Sequence, residues 1–186
     1  MDADLRSVQT RQLEAVLAPL AEEEQQQAIQ AAEARITQET DRYRILGAEV
    51  AVEKPTGPDL APERLIAVLA ADYRNRRGLR VLMRPTGADE IEVLEYEPVF
   101  HPDEIVEARE IAERDQRLGE LAHREEQFVT PFSPISEVGA RLIGLHYFLS
   151  EGDEAARLVA SVVVDLPVGE VIRLDWPEPE QGEEGG

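Results

Sequence analysis

Cysteine is absent from the 186-residue chain. Its absence excludes disulfides, thiolate metal sites and a cysteine nucleophile, and it fits a reducing, cytoplasmic setting. Aromatic residues make up only 5% of the chain, so a core must be assembled mainly from Leu, Ile, Val and Ala. Lysine is nearly missing, with Lys54 the only one among the basic residues. No apolar run approaches the length of a membrane-spanning helix. The opening Met1-Asp2-Ala3-Asp4-Leu5-Arg6 has neither the basic nor the apolar segment of a signal peptide, and none is expected. Positive charge is scarce: 39 acidic residues against 19 basic ones give a net charge of −20. Such a field repels nucleic acid and anionic lipid, which leaves solubility and cationic partners as its consequences.

What remains is ordinary globular material. The hydrophobic fraction is 42%, enough for a core. The length suits one ordinary domain or two small ones. Leu13, Val16, Leu17 and Leu20 predict a helix over residues 7–18, interrupted at Pro19. A second helix is expected from about Ala21 to Thr37, with an acidic first turn and an apolar stripe of Ala28, Ile29, Ala32 and Ile36. Strands are expected over Tyr43–Glu53, Leu65–Tyr73, Leu79–Met83 and Ile91–Tyr96, separated by turns at residues 55–58, 75–78 and 85–87. His101-Pro102-Asp103-Glu104 is a helix start, proline and acids both suiting the first turn, and that helix is expected to run to about Leu121. Residues 123–138, with Pro131 and Pro134, read as a loop or an irregular edge. Strands over Ala140–Leu149, Ala156–Leu166 and Glu170–Trp176 follow, joined by turns at Gly152-Asp153 and Pro167–Gly169, and the acidic tail Pro177–Gly186 is expected to be disordered.

The helix-then-strands order occurs twice. Ala28, Ala32 and Glu33 align with Ala108, Ala112 and Glu113 at one constant offset, and Arg64-Leu65-Ile66 with Arg141-Leu142-Ile143 at another. Each half ends on an aromatic residue and a nearby proline, Tyr96 with Pro98 and Trp176 with Pro177. The expected division is residues 1–98, a helix-plus-sheet unit with an N-terminal helical extension; 99–176, a second such unit; and 177–186, the tail. Each unit is small for its entropy cost, so packing between units or a homodimer through a sheet edge is expected.

The stretch Val162-Val163-Val164-Asp165-Leu166-Pro167-Val168-Gly169-Glu170-Val171-Ile172-Arg173-Leu174, with Glu97-Pro98 leading to Pro102-Asp103-Glu104-Ile105, resembles the cystatin-like modules found in tandem as the small N-terminal domains of copper amine oxidases. The resemblance covers residues 19–177 and implies an α+β fold of two tandem cystatin-like units, each a helix packed on an antiparallel sheet. It also implies an accessory role to a separately encoded protein. Oxidase activity does not follow: the cofactor tyrosine motif is matched neither by Asp72-Tyr73-Arg74-Asn75 nor by Glu95-Tyr96-Glu97, and His101, His123 and His146 lack the His-x-His spacing of the copper site. The protease-inhibiting hairpin of cystatins is not matched either, because Gln127-Phe128-Val129-Thr130-Pro131 has proline where the motif has glycine.

Two groups of residues are candidate binding sites. Arg74, Arg76 and Arg80 belong to an arginine cluster, completed by Arg77 and Arg84, and could converge on a carboxylate or phosphate; the competing reading is a solvated turn paired with the chain's own acids. His146, in Leu145-His146-Tyr147-Phe148, shares a strand face with Phe148 and is either a general base or pH sensor, or a hydrogen-bonded strand histidine. His101 belongs to its helix start, and His123 is placed near a helix end. No calcium loop, P-loop, dinucleotide fingerprint, nucleophile elbow or zinc-protease motif is present. The sequence therefore points to a non-catalytic protein-interaction or assembly module without cofactor or metal. The alternative is a small-ligand-binding protein or enzyme whose pocket lies between helix and sheet, which would require inward polar residues such as His146, Tyr147 or Tyr73.

Overall fold

A computed structural model describes residues 16–53, 62–84, 90–119, 121, 127–150 and 156–177. Most of the expected helix over residues 7–18, the turns at 55–58, 85–87 and 152–153, His123, and the tail from residue 178 lie outside the described residues. The chain divides into two compact units, Met1–Val99 and Phe100–Gly186.

In the first unit, helix α1 (Glu22–Ile36) starts from an extended N-cap at Ala21 and carries Glu22, Glu23 and Glu24 in its first turn, where the helix dipole favours negative charge. Its buried side chains Ala28, Ala32 and Ile36 follow the one-face spacing of a helix. Strands β1 (Tyr43–Glu53), β2 (Glu63–Asp72), β3 (Arg77–Met83) and β4 (Glu90–Val93) form one antiparallel sheet in sequence order. Val68 and Ala70 of β2 and Leu79 and Val81 of β3 meet the helix stripe. On the other face of β2, Leu65, Ala67 and Ala71 are buried too. Burial on both faces explains why this strand reads as a continuous apolar run without alternation. Leu94 and Pro98 pass over Gly78, where an added Cβ would lie 3.0 Å from the Pro98 ring.

The second unit repeats this plan. Helix α2 (Pro102–Glu113) has His101 as N-cap, and strands β5 (Gln127–Phe132), β6 (Leu142–Leu149), β7 (Arg157–Asp165) and β8 (Glu170–Asp175) form a second antiparallel sheet in sequence order. Ala108 and Ala112 of the helix pack on Ile143, Leu145 and Tyr147 of β6 and Ala160, Val162 and Val164 of β7. At the edge of the helix, buried Glu104 receives Nε of buried Arg141 at 2.8 Å and its Nη2 at 2.5 Å. The same carboxylate accepts the His101 backbone N–H at 2.8 Å, and the Phe100 ring lies 4.5 Å from the guanidinium carbon.

The expected fold class needs correction. Helix and antiparallel strand are both present, but the described residues are dominated by sheet: two four-stranded antiparallel sheets and only two helices. The reading as α+β, two tandem cystatin-like units each a helix packed on an antiparallel sheet, gives the helices too much weight. Their buried faces are mostly alanine, which brings each helix close to its sheet but supplies little apolar volume, and the strands supply the larger core side chains. Two boundaries account for much of the difference. Helix α2 stops at Glu113, well short of Leu121, because Asp115 accepts the backbone N–H of Arg117 at 2.9 Å and turns the chain so that Leu118 folds into the core. Residues 127–132, read as a loop or an irregular edge, form a regular edge strand in which Pro131 is tolerated because an outer strand can spare one N–H.

The β2–β3 turn is held by Asp72, whose buried carboxylate receives the Asn75 backbone N–H at 3.1 Å, Asn75 Nδ2 at 2.7 Å and Arg77 Nε at 2.9 Å. Burial pushes this carboxyl up, but the bonds from Asn75 and Arg77 outweigh burial and hold its pKa below the usual aspartate value. A depressed folded-state pKa contributes stability above the unfolded pKa and loses it as pH falls through the folded one. Asp72→Asn is therefore expected to lower unfolding free energy at neutral pH by about 1–3 kcal/mol. Urea titrations should show the gap to the wild type closing as pH falls below the usual aspartate range; a gap that stays constant with pH would contradict the assignment.

Candidate functional site

Two of the three candidate arginines, Arg74 and Arg80, are committed to different acids. Arg74, beyond the end of β2, donates from Nη1 to Asp41 Oδ1 at 2.6 Å, and this bond holds the Asp41 carboxyl below its ordinary pKa. Arg76 takes a left-handed backbone (φ 50) in the turn. Arg80 stands opposite Glu92 in the β3–β4 register and donates to it from Nε at 2.8 Å. Arg77 bonds Asp72, and Arg84 pairs with Glu53 and Glu90. Arg74, Arg77, Arg80 and Arg84 are thus parcelled out among the chain's own acids, and Arg74 and Arg80 turn to different ones.

His146 has a different environment. Strand β6 alternates, sending Ile143, Leu145 and Tyr147 into the core under α2 and Gly144, His146 and Phe148 to the opposite face. Across the β5–β6 register, Phe128 lies opposite Phe148, Thr130 opposite His146 and Phe132 opposite Gly144. Gly144 has no side chain, so the Phe132 ring occupies its place: an added Cβ would lie 2.2 Å from Phe132 Cζ. From there the ring stacks on the imidazole of His146, with centroids 4.1 Å apart and planes at 12°. Phe128 and Phe148 stack at 5.0 Å, and Phe148 meets His146 edge-on at 6.2 Å. On the other side, β7 brings Ser161 opposite His146, and Nδ1 and Oγ lie 2.9 Å apart. The result is an aromatic ladder along β5 and β6, half-buried at Phe132, His146 and Phe148 and exposed at Phe128.

An imidazole beside a hydroxyl is the nucleophile–base pair of many hydrolases, which also need a third group to orient the base. Among the described residues His146 has no carboxylate partner; stacking and Ser161 alone fix its ring. No group of three or more metal-ligating side chains is gathered among the described residues. The fully buried cluster between α2 and its sheet is aliphatic apart from Tyr147, with Phe100 packed against it, and the Tyr147 hydroxyl is unpaired among the described residues. Burial pushes this phenol up to about 12. An open groove of about 370 Å³ beside the end of α2 includes Arg114, Asp115, Arg117 and Glu170. Its arginines are already engaged, Arg114 by Glu110 and Arg117 by Asp115 and the Val171 carbonyl.

Phe128, Phe132 and Ser161 were not singled out from sequence. Phe128, Thr130 and Phe132 recur at period two, a strand signal masked by Pro131, and Ser161 reaches His146 only through a pairing that no local pattern encodes. No protein-family model matches the chain, and no curated protein matches it.

Gly144→Ala is expected to evict the Phe132 ring and destabilise the protein by about 1–3 kcal/mol, the usual range for overpacking. Phe132→Ala in the same chain should recover part of that loss, so the double variant should be less damaged than the sum of the singles. Additive losses by urea titration would place the ring elsewhere.

Proposed function

We propose that the chain is a non-catalytic protein-interaction module that assembles, with itself or with a protein to which it is accessory, through the aromatic face of its second sheet. A single observation carries the reading. The two units share a scaffold, yet the face turned from the helix is Leu65, Ala67, Leu69 and Ala71 on β2 and Leu142, Gly144, His146 and Phe148 on β6. Three of the chain's four phenylalanines, Phe128, Phe132 and Phe148, gather on this one face. A scaffold does not need them there, since the first unit does without, and aromatic side chains are what protein interfaces concentrate. The net charge of −20 favours a partner with a basic surface. A homodimer is the simplest assembly, and with like charge on both copies it should tighten as salt screens their repulsion. No helix among the described residues is long and apolar enough to cross a membrane; a cytoplasmic location belongs to the same proposal, and the lack of cysteine is compatible with it.

A second reading has one observation in its favour. The unpaired Tyr147 hydroxyl is the kind of group a small ligand or water under α2 would satisfy. Native mass spectrometry separates the two. The assembly reading expects a dimer or a co-purifying protein, and Phe128→Ser with Phe148→Ser should weaken that association about tenfold or more. A monomer carrying a small bound mass that Tyr147→Phe abolishes would replace it with the ligand reading.

A further inference from the structure

The buried pair in the second unit has a counterpart in the first. Glu24 occupies the third position of α1, as Glu104 does in α2. Each accepts the N–H of its own N-cap residue, Ala21 at 3.3 Å and His101 at 2.8 Å. Both N-caps are extended, with φ −68 and ψ 150 at Ala21 and φ −71 and ψ 144 at His101. Each carboxylate also takes two nitrogens of an arginine at the start of the second strand of its sheet: Arg64 for Glu24, through Nη1 and through Nη2 at 3.2 Å, and Arg141 for Glu104.

These residues stand in register with the rest of the repeat. Glu24, Ala28 and Ala32 are offset from Glu104, Ala108 and Ala112 by one constant, and Arg64, Ile66 and Val68 from Arg141, Ile143 and Leu145 by another. A glutamate at the third helical position is common because it caps the helix. Helix capping does not require its second partner to be the same strand-start arginine in both units. The two buried clusters are also separate: Ala28, Ala32, Ile36, Val68, Ala70, Leu79 and Val81 in one, and residues from Ala108 to Leu166 in the other.

We infer that the chain uses one carboxylate–guanidinium lock twice, and that each lock governs only its own unit, so that either unit can open while the other stays closed. The locks differ in strength. Glu104 and Arg141 are 0% and 2% exposed, whereas Glu24 and Arg64 are 34% and 24% exposed and partly screened by water. The first unit is the one with the weaker lock. The second lock fastens the strand that carries His146 and Phe148.

Hydrogen–deuterium exchange of the full chain tests this. Arg141→Met removes from buried Glu104 the guanidinium fork that faces it, and should raise exchange in α2 and β5–β8 about tenfold or more while α1 and β1–β4 stay within about twofold. Arg64→Met should do the reverse, by about threefold, because its pair is half-exposed. If Arg141→Met does not fold, Arg141→Lys, which keeps the charge but not the fork, should give the same regional pattern at smaller amplitude. Exchange rising equally in both units, for either variant, would overturn the inference and leave one cooperative structure. None of these substitutions touches the aromatic face, so that outcome would not bear on the assembly reading.

Discussion

A carboxylate and a guanidinium removed from water need each other's charge and further partners for their remaining donors and lone pairs, and the second unit is arranged around that requirement. Glu104 and Arg141 are fully buried, and the pair is bidentate. Such pairs gain little net stability over an apolar replacement, because desolvation offsets most of the attraction. What they add is position. The fork accepts one geometry, so the first turn of α2 and the start of β6 cannot slide past each other. Arg141 enters the strand from a left-handed backbone (φ 53), and Phe100 stacks against its guanidinium.

Register is what this fixing protects. Side chains alternate along β6, so a slip of one residue would exchange its two faces. Leu145 and Tyr147 would leave the core, and His146 and Phe148 would enter it. Gly144 adds a second check, since only a residue without a side chain leaves room for Phe132 above the strand. The aromatic face thus depends on a core that it does not touch. The same strand carries packing on one side and the candidate recognition surface on the other.

Much of this was legible in the sequence, but unevenly. The apolar stripes of Ala28, Ala32 and Ile36 and of Ala108 and Ala112 and the face shared by His146 and Phe148 follow from local spacing, whereas the turn expected at Asn75–Gly78 lies two residues earlier, because Arg77 and Gly78 already pair within β3. The weight of the helices was not legible, because an alanine stripe marks where a helix packs without saying how little volume it contributes. Strand β5 was hidden by Pro131, whose penalty depends on whether the strand is central or at an edge. Glu104 could not be singled out among 39 acidic residues until the fold placed it beside Arg141. Of the two readings of the arginine cluster, Arg74, Arg77, Arg80 and Arg84 follow the one in which they pair with the chain's own acids, and which acid each takes depends on strand pairing that nearness in sequence does not specify. Ser161 and His146 meet only across a strand pairing, which local sequence does not specify.

The account rests on the register of β6, and nuclear Overhauser contacts in solution test it most directly. It predicts Phe132 ring protons close to the Gly144 Hα and the His146 ring, with Leu145 close to the Ala108 methyl. Contacts from His146 to Ala108, with Leu145 against Phe132, would mean the strand is turned over, and the aromatic face would not exist as described.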